Sequence, residues 1–202
     1  MTKTDDPAER IPPLTQTALR AELLAYRPQD GQEQADLRLM LSLMDKHGDL
    51  LDRENEAAHF TGSAWIVNRA RTAVLMVFHN LYQSWAWTGG HADGEADLLS
   101  VAIREAQEET GLTTIHPVSN DILSLDVLPV WRHVRRGRHV PSHLHLNAAY
   151  LLEADDAAPL QVRPDENSGV RWVPLAEVSS WCTEPDMQPL YAKLNARMLR
   201  MY

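Results

Sequence analysis

One stretch of the sequence, from Gly89 to Leu112, constrains the fold and chemistry of the chain more than any other: GGHADGEADLLSVAIREAQEETGL. Its segment from Asp97 to Thr110 is predicted to form a helix, because Asp97 can cap the first turn and Gly111 can end the helix in a left-handed conformation. At about 100° per residue, apolar side chains gather on one arc, which predicts that this face packs against a core. The arc consists of Leu98, Leu99, Ala102, Ile103 and Ala106.

Two glutamates of this helix, Glu105 and Glu109, are one turn apart and fall at the edge of the apolar arc, and Glu108 lies just outside them. A carboxylate taken out of water loses on the order of several kcal/mol unless its charge is compensated. Arg104 faces mostly the other way and can reach Glu108. A bound divalent cation would compensate the charge, and all-oxygen ligands favour Mg²⁺ or Mn²⁺ over zinc. The alternative is three ordinary solvated helix residues, but their spacing between a Gly-Gly pair and Thr-Gly favours a metal site.

This segment resembles the Nudix box, whose pattern is Gly, five residues, Glu, seven residues, Arg-Glu, an apolar residue, any residue, Glu-Glu, any residue, Gly and an apolar residue. One position departs from the pattern, because the early glutamate falls on Ala96, between Glu95 and Asp97. The variant Gly-Gly-His-Ala-Asp-Gly, followed by Asp-Leu-Leu, resembles a bacterial branch of the family that carries the same shift. It leaves the role of the first acid open, whereas the Arg-Glu…Glu-Glu core is intact. The positions in register are Gly90, Arg104, Glu105, Ala106, Glu108, Glu109, Gly111 and Leu112.

The resemblance extends roughly over residues 59–181 and implies an activity. It implies a divalent-metal-dependent hydrolase that cleaves the pyrophosphate bond of a nucleoside diphosphate linked to another moiety, or of a nucleoside triphosphate. Glu105, Glu108 and Glu109 would hold Mg²⁺ or Mn²⁺, and Arg104 would orient a box glutamate. Gly90 would let the backbone turn tightly at the start of the site.

A further acid, Glu166, lies six residues before Trp172. This offset resembles that of a loop glutamate that supplies a ligand or a base in some Nudix hydrolases. A solvated loop acid is the alternative.

Histidines and one basic segment are further candidates for contacts with the substrate. His91 follows the glycine pair, and Arg135 lies in the basic segment at residues 132–139, which could steer an anionic substrate or simply be a solvated hairpin tip. His143 and His145 share one face of a predicted strand, and a His-x-His pair can bind a metal. We favour a hydrogen-bonded pair that lines the pocket mouth, because the glutamates already supply a metal site. His59 and His79 are expected to be structural.

Charge and composition exclude several classes of protein. The net charge is −9, with 28 acidic against 19 basic residues, which argues against a general nucleic-acid or anionic-membrane binder. The single cysteine, Cys182, excludes an intrachain disulfide and a cysteine-based zinc cluster. No apolar run approaches transmembrane length and the N-terminus has no signal-peptide core, so we expect a cytoplasmic protein. A homodimer is plausible, because the N-terminal helices and the last helix offer apolar faces.

The order of elements predicts an α/β fold with an N-terminal extension. Residues 1–55 are expected to form that extension, with a disordered start and two helices at 14–26 and 32–46. Residues 56–202 are expected to form the main domain. A mixed sheet with helices on both faces fits this order, and the resemblance specifies a Nudix-type α/β/α sandwich. The strands are predicted at 63–67, 73–78, 122–131, 144–152 and 169–174, with closing helices at 175–181 and 187–201.

Two other functions compete with hydrolysis. A catalytically silent Nudix domain that binds a nucleotide as a sensor is expected to have a broken Arg-Glu…Glu-Glu core, and here the core is intact. Isoprenoid isomerisation, which some Nudix-like folds perform, needs a cysteine before or around the box, whereas Cys182 lies far downstream.

Overall fold

The computed structural model describes residues 14–135 and 137–201. The expected disorder of residues 1–13 concerns positions that lie outside this part of the chain. Two helices come first, α1 (Leu14–Ala25) and α2 (Gly31–Met44). No helix within the described ranges has the length and apolar character needed to span a membrane.

The centre of the fold is an eight-stranded mixed sheet. Its two long strands, β1 (Ala58–Asn68) and β9 (His143–Ala154), pair in parallel along the whole of β1, whereas the other pairs are antiparallel. The path β10-β2-β1-β9-β5 runs through the sheet, while β3 pairs with β2, β4 with β1 and β6 with β9. The remaining strands are β2 (Ala73–His79), β3 (Ser84–Ala86), β4 (Thr88–His91), β5 (Ile115–Pro117), β6 (Ser124–Val130) and β10 (Asn167–Pro174).

Alternation along β1 divides the core into two layers, because successive side chains point to opposite faces of a strand. Phe60 and Ile66 belong to the cluster that includes side chains of α1, α2 and α3 (Leu98–Thr110). Trp65 and Val67 belong to the cluster that includes side chains of α4 (Val178–Trp181) and α5 (Met187–Arg200). Helices therefore cover both faces of a mixed sheet, which confirms the predicted α/β sandwich.

Two details of the box helix were predicted from the sequence and are confirmed. Asp97 caps α3 by accepting a hydrogen bond from the N–H of Ser100 at 3.1 Å. Gly111 ends the helix with φ of 74°. Gly62 of β1 lets α3 lie close, because a Cβ there would come within 2.5 Å of the Leu98 carbonyl oxygen.

Other boundaries differ from the predictions. β1 begins at Ala58, five residues before the predicted start, and so includes His59. The short strand β5 was not predicted, and neither were the strands of the basic hairpin, β7 (His133–Arg135) and β8 (Arg138–Val140). Strands of three residues carry too little alternation to be recognised by pattern.

A buried polar network fixes α2 to the main domain. Glu33 of α2 is fully buried and accepts hydrogen bonds from Tyr26, at 2.9 Å, and from Ser124 of β6, at 3.0 Å. It also pairs with Arg197 and Lys193 of α5. Burial raises the pKa of Glu33, but hydrogen bonds from Arg197, from the N–H of Gln29 and from Tyr26 outweigh burial and lower it to about 2.

Candidate functional site

Three carboxylates converge where the end of α3 meets the loop before β10. Glu105, Glu109 and Glu166 each offer a carboxylate oxygen, and these three atoms all lie within 4.8 Å of one another. Glu105 and Glu109 share one face of α3 because they are four residues apart. Glu166 comes from a distant part of the sequence, immediately before Asn167, the first residue of β10.

Glu109 is the buried member of this acidic cluster, with 4% of its surface exposed. Its Oε1 atom accepts a hydrogen bond from the N–H of Gly89 at 3.0 Å. Burial raises the pKa of Glu109 to about 8, the Gly89 N–H opposes that rise, and the charges of Glu166 and Glu105 add to it. The carboxylate is therefore poorly compensated by the protein itself.

Glu105 is half-buried beside the glycine pair. Burial and the charge of Glu108 raise its pKa, and Arg104 opposes the rise from 3.5 Å. Gly90 packs directly against the Glu105 side chain, and a Cβ at Gly90 would overlap it. The glycine is therefore required for the close approach of Glu105, and it lies in the extended strand β4 rather than in the tight turn expected from the sequence.

Backbone and side-chain hydrogen bonds hold the Glu166 loop against the end of α3. The Glu166 carbonyl accepts from the N–H of Asn80 at 2.9 Å. The buried amide of Asn167 donates to the Glu109 carbonyl, also at 2.9 Å. These contacts place Glu166 next to a helix that ends more than fifty residues earlier in the sequence. The Asn167–Glu109 bond itself joins two residues that are 58 positions apart.

Glu108 lies outside the three-carboxylate cluster. Its carboxylate is exposed and accepts a hydrogen bond from Arg163 Nη1 at 2.5 Å. The same guanidinium lies 3.4 Å from Glu166 and 3.5 Å from Asp165. Arg163 thus connects the exposed glutamate of α3 to the loop that carries Glu166.

Two arginines near the cluster were not identified from the sequence. Arg163 could have been noticed only if the loop had been known to fold back onto α3. Arg53 forms a two-point ion pair with Asp93, and the charges of Glu105 and Glu166 also raise its pKa. Each arginine already pairs with a carboxylate outside the cluster, so the cluster keeps an excess of negative charge.

The remaining predicted site residues are placed as follows. His91 ends β4, and its ring packs against His59 with centroids 5.0 Å apart. Arg135 lies in β7, but its side chain is outside the described part of the chain, as is the whole of Arg136. In that hairpin region Trp131 is 72% exposed.

The residues present fit a hard divalent cation. Three carboxylates supply only oxygen donors, which Mg²⁺ and Mn²⁺ prefer. A buried carboxylate whose pKa is raised to about 8 gains most when a cation replaces the missing positive charge. The geometry therefore matches the donor set of a magnesium or manganese centre.

Comparisons with known proteins identify the family and the fold of the chain. The family model described as NUDIX domain matches residues 59–194. A C. elegans Ap4A hydrolase in a binary complex is similar in structure at a TM-score of 0.50 and 21% identity, over 71% of this chain and 98% of that one. RenU, a Nudix hydrolase from M. smegmatis, is similar in structure at a TM-score of 0.50 and 15% identity, over 71% of this chain and 84% of that one. Among curated proteins, none matches this chain.

Proposed function

Because this chain belongs to the Nudix family and is a pyrophosphohydrolase of that family, we propose that its substrate is a nucleoside diphosphate linked to another moiety, or a nucleoside triphosphate. We further propose that the reaction depends on Mg²⁺ or Mn²⁺. Nudix hydrolases generally use divalent metals, and the acidic cluster contains the oxygen ligands that these ions prefer. In this reaction water attacks a phosphorus atom, and the bond from that atom to the bridging oxygen breaks.

The observation that carries this proposal is the convergence of Glu105, Glu109 and Glu166 without enough positive charge nearby. The carboxylate oxygens lie within 4.8 Å of one another. Like charges at this distance repel one another, and burial strengthens the repulsion. A protein that keeps such a cluster gains from binding a cation there, and this cation would be the cofactor.

We assign distinct roles to the acids of the site. Glu105 and Glu109 would hold the cation from one face of α3, and Glu166 would complete the set from the loop. Glu166 has the most exposed side chain of the three, at 24% against 15% for Glu105, so we propose it as the member that accepts a proton from water. Glu108, which the box pattern groups with the metal ligands, pairs with Arg163 and positions the Glu166 loop.

When bound, a divalent cation neutralises charge on the phosphate oxygens and lowers the pKa of its water. Arg104, 3.5 Å from Glu105, orients that carboxylate. Gly90 lets Glu105 lie close to β4. Arg135 remains a proposed contact for the substrate, whereas His91 lies on the opposite face of β4 from Glu105 and packs against His59 and His145.

The test is chromatography of the products formed from a panel of nucleoside diphosphate sugars, dinucleoside polyphosphates and nucleoside triphosphates. Cleavage of their pyrophosphate bonds yields phosphomonoesters or pyrophosphate rather than free phosphate. Ap4A belongs in the panel because the C. elegans relative is an Ap4A hydrolase. Each compound is assayed with Mg²⁺, with Mn²⁺ and with EDTA. We expect turnover that requires the metal and falls by about 10²-fold or more in Glu109→Gln.

Glu153→Gln is the matched control, because Glu153 of β9 pairs only loosely with Arg71, at 3.8 Å. It should retain wild-type turnover. Absence of turnover on every compound, with tight nucleotide binding that Glu109→Gln leaves unchanged, would overturn the proposal and favour the sensor.

The cytoplasmic location and the homodimer stay predictions from the sequence. So does the division of the chain into residues 1–55 and 56–202. Light scattering on the purified chain would measure the oligomeric state. A deletion of α1 and α2 would test the division, and we expect it to destabilise the main domain because Glu33 pairs with Arg197.

A further inference from the structure

Four histidines gather on one face of the sheet. His59 of β1 is the register partner of His145 in the parallel strand β9. His143 lies two residues before His145 and so shares its face, because side chains alternate along a strand. His91 of β4 is paired with Thr61, which lies two residues after His59. Pairing and alternation therefore bring all four rings to the same side.

This histidine cluster is separate from the acidic cluster. Gly90, which packs against Glu105, and His91 are consecutive in β4, so they face opposite sides of the sheet. The cluster is also tightly packed. The ring of His59 lies 4.9 Å from that of His143 and 5.0 Å from that of His145, measured between centroids. His91 lies 5.1 Å from His145.

Hydrogen bonds orient two of these rings with a nitrogen toward the centre. The Nδ1 of His59 contacts the Asn55 carbonyl at 2.9 Å, and the Nδ1 of His143 contacts the Pro141 carbonyl at 2.9 Å. A carbonyl oxygen only accepts, so each Nδ1 carries the proton and each Nε2 keeps its lone pair. Metal-binding histidines usually make this second hydrogen bond, which fixes the tautomer and the ring.

The Nε2 of His59 is an unexplained buried polar atom. His59 is 3% exposed, and within the described ranges its Nε2 has no hydrogen-bond partner. Buried polar atoms are rarely left in this way. The Nε2 atoms of His143 and His145 are 3.3 Å apart, which is about the edge of a tetrahedron around an ion with Zn–N bonds of about 2.0–2.1 Å.

We propose that His59, His143 and His145 form a second metal site, which binds one divalent transition ion of the Zn²⁺ class. Each offers one ring nitrogen, and the three atoms lie within 4.8 Å of one another. Imidazole nitrogens suit zinc and its transition-metal neighbours, whereas Mg²⁺ prefers oxygen, so the two sites select different ions. Three ligands leave a fourth position for water or an anionic oxygen, or for His91 beside them.

A strip of neutral histidines without an ion is the competing explanation. In that case the contact between His143 and His145 is only a hydrogen bond. Burial lowers the pKa of both His59 and His145, with the neighbouring histidines adding to the effect, so both rings are held neutral. Neutral rings fit either explanation, because a metal ligand must also be deprotonated.

The experiment measures Zn²⁺ binding by the full chain after metal removal, in competition with a chromophoric chelator and with excess Mg²⁺ present. The double variant Glu105→Gln/Glu109→Gln is titrated in parallel to exclude the acidic cluster. We expect one Zn²⁺ per chain in the wild type and in this double variant. His143→Ala should weaken binding by at least about 10²-fold, and His116→Ala, at an exposed position of β5, should not change it.

Two measurements on the wild type keep the proposal testable if His143→Ala fails to fold. X-ray absorption of the protein with one equivalent of Zn²⁺ should show three or four imidazole nitrogens at about 2.0–2.1 Å. The midpoint temperature of thermal unfolding should rise by about 5–10 °C when the free Zn²⁺ concentration is about a hundred times Kd. The proposal would be overturned if the wild type failed to bind Zn²⁺ or if the coordination shell contained only oxygen. It would also be overturned if the double variant Glu105→Gln/Glu109→Gln lost Zn²⁺ binding while His143→Ala kept it.

Discussion

Glu33 and Glu109 are both buried glutamates on helices, yet their surroundings are opposite. Glu33 is fully buried among donors, with Arg197, Lys193 and Tyr26 around it, and its pKa falls to about 2. Glu109 is 4% exposed, receives one backbone N–H and faces two further carboxylates, and its pKa rises to about 8.

The difference shows how a buried carboxylate at a functional site can be distinguished from one that only stabilises the fold. Both residues expose almost none of their surface to solvent, so exposure alone does not identify the site. Compensation does, because the Glu33 network is complete within the protein, whereas the acidic cluster keeps an excess of negative charge and would be completed by the proposed cation. Stability should therefore depend on Glu33, and function on Glu109.

The largest effect on stability is expected for Glu33→Gln. The change leaves the buried guanidinium of Arg197 without its main partner and should lower the free energy of unfolding by about 3 kcal/mol. Chemical denaturation of the full chain measures this value. Glu56→Gln, at an exposed position, is the control and should stay within about 0.5 kcal/mol of wild type. A loss equally small in both variants would show that the Glu33 network contributes nothing to stability.

The pH dependence of stability should run in opposite directions for the two groups in metal-free protein. The pKa of Glu33 is lowered, so its contribution is complete above about 4.5 and is lost as the pH falls toward 2. The pKa of Glu109 is raised, so its contribution is complete below about 4.5 and is lost as the pH rises through 8. Unfolding free energies of wild type minus Glu33→Gln, and of wild type minus Glu109→Gln, isolate each group. Two difference curves with the same slope would contradict the comparison.

A smaller effect is expected when the connection between Glu108 and the Glu166 loop is removed. Arg163→Gln breaks the contacts at 2.5 Å and 3.4 Å, and we expect kcat to fall by about tenfold while the fold is kept. Steady-state kinetics at saturating Mg²⁺ measures the change. Arg20→Gln breaks a surface pair with Asp45 at 2.9 Å and should leave kcat unchanged. Equal rates in Arg163→Gln and wild type would remove Arg163 from the site.

The smallest effect is expected for Glu109→Gln on the stability of metal-free protein near neutral pH. The amide of glutamine can still accept a hydrogen bond from the Gly89 N–H, and it avoids the repulsion within the cluster. The free energy of unfolding should therefore stay unchanged or rise by up to about 1 kcal/mol. Adding Mg²⁺ should stabilise the wild type and not the variant. Destabilisation as large as that of Glu33→Gln would mean that Glu109 is compensated like Glu33.

The two regions also differ in how much of them could be predicted from sequence. Helix α3, its caps and the adjacency of Glu105 and Glu109 follow from local spacing alone. Glu166 was predicted from its offset to Trp172, and the structure places it with those two glutamates. Arg163 and Arg53 were not predicted, because their positions depend on how distant loops return to α3.

The Glu33 network left no local signal in the sequence. Its partner Arg197 is 164 residues away, and each residue alone resembles an ordinary charged position on a helix. His59 was missed as a cluster member for a similar reason, since its neighbours arise from the pairing of β1 with β9. Spacing can predict contacts within a helix, whereas contacts between strands need the topology.

The parallel pairing of β1 with β9 has a consequence for synthesis of the chain. Every residue of β1 is buried in the finished fold, and its partner strand comes much later, since 86 residues separate Thr61 from Asn147. At about 5–20 residues per second, a ribosome needs roughly 4–17 s to make that interval. During this time the nascent β1 exposes apolar side chains and unpaired backbone groups, so aggregation is most dangerous before β9 has emerged.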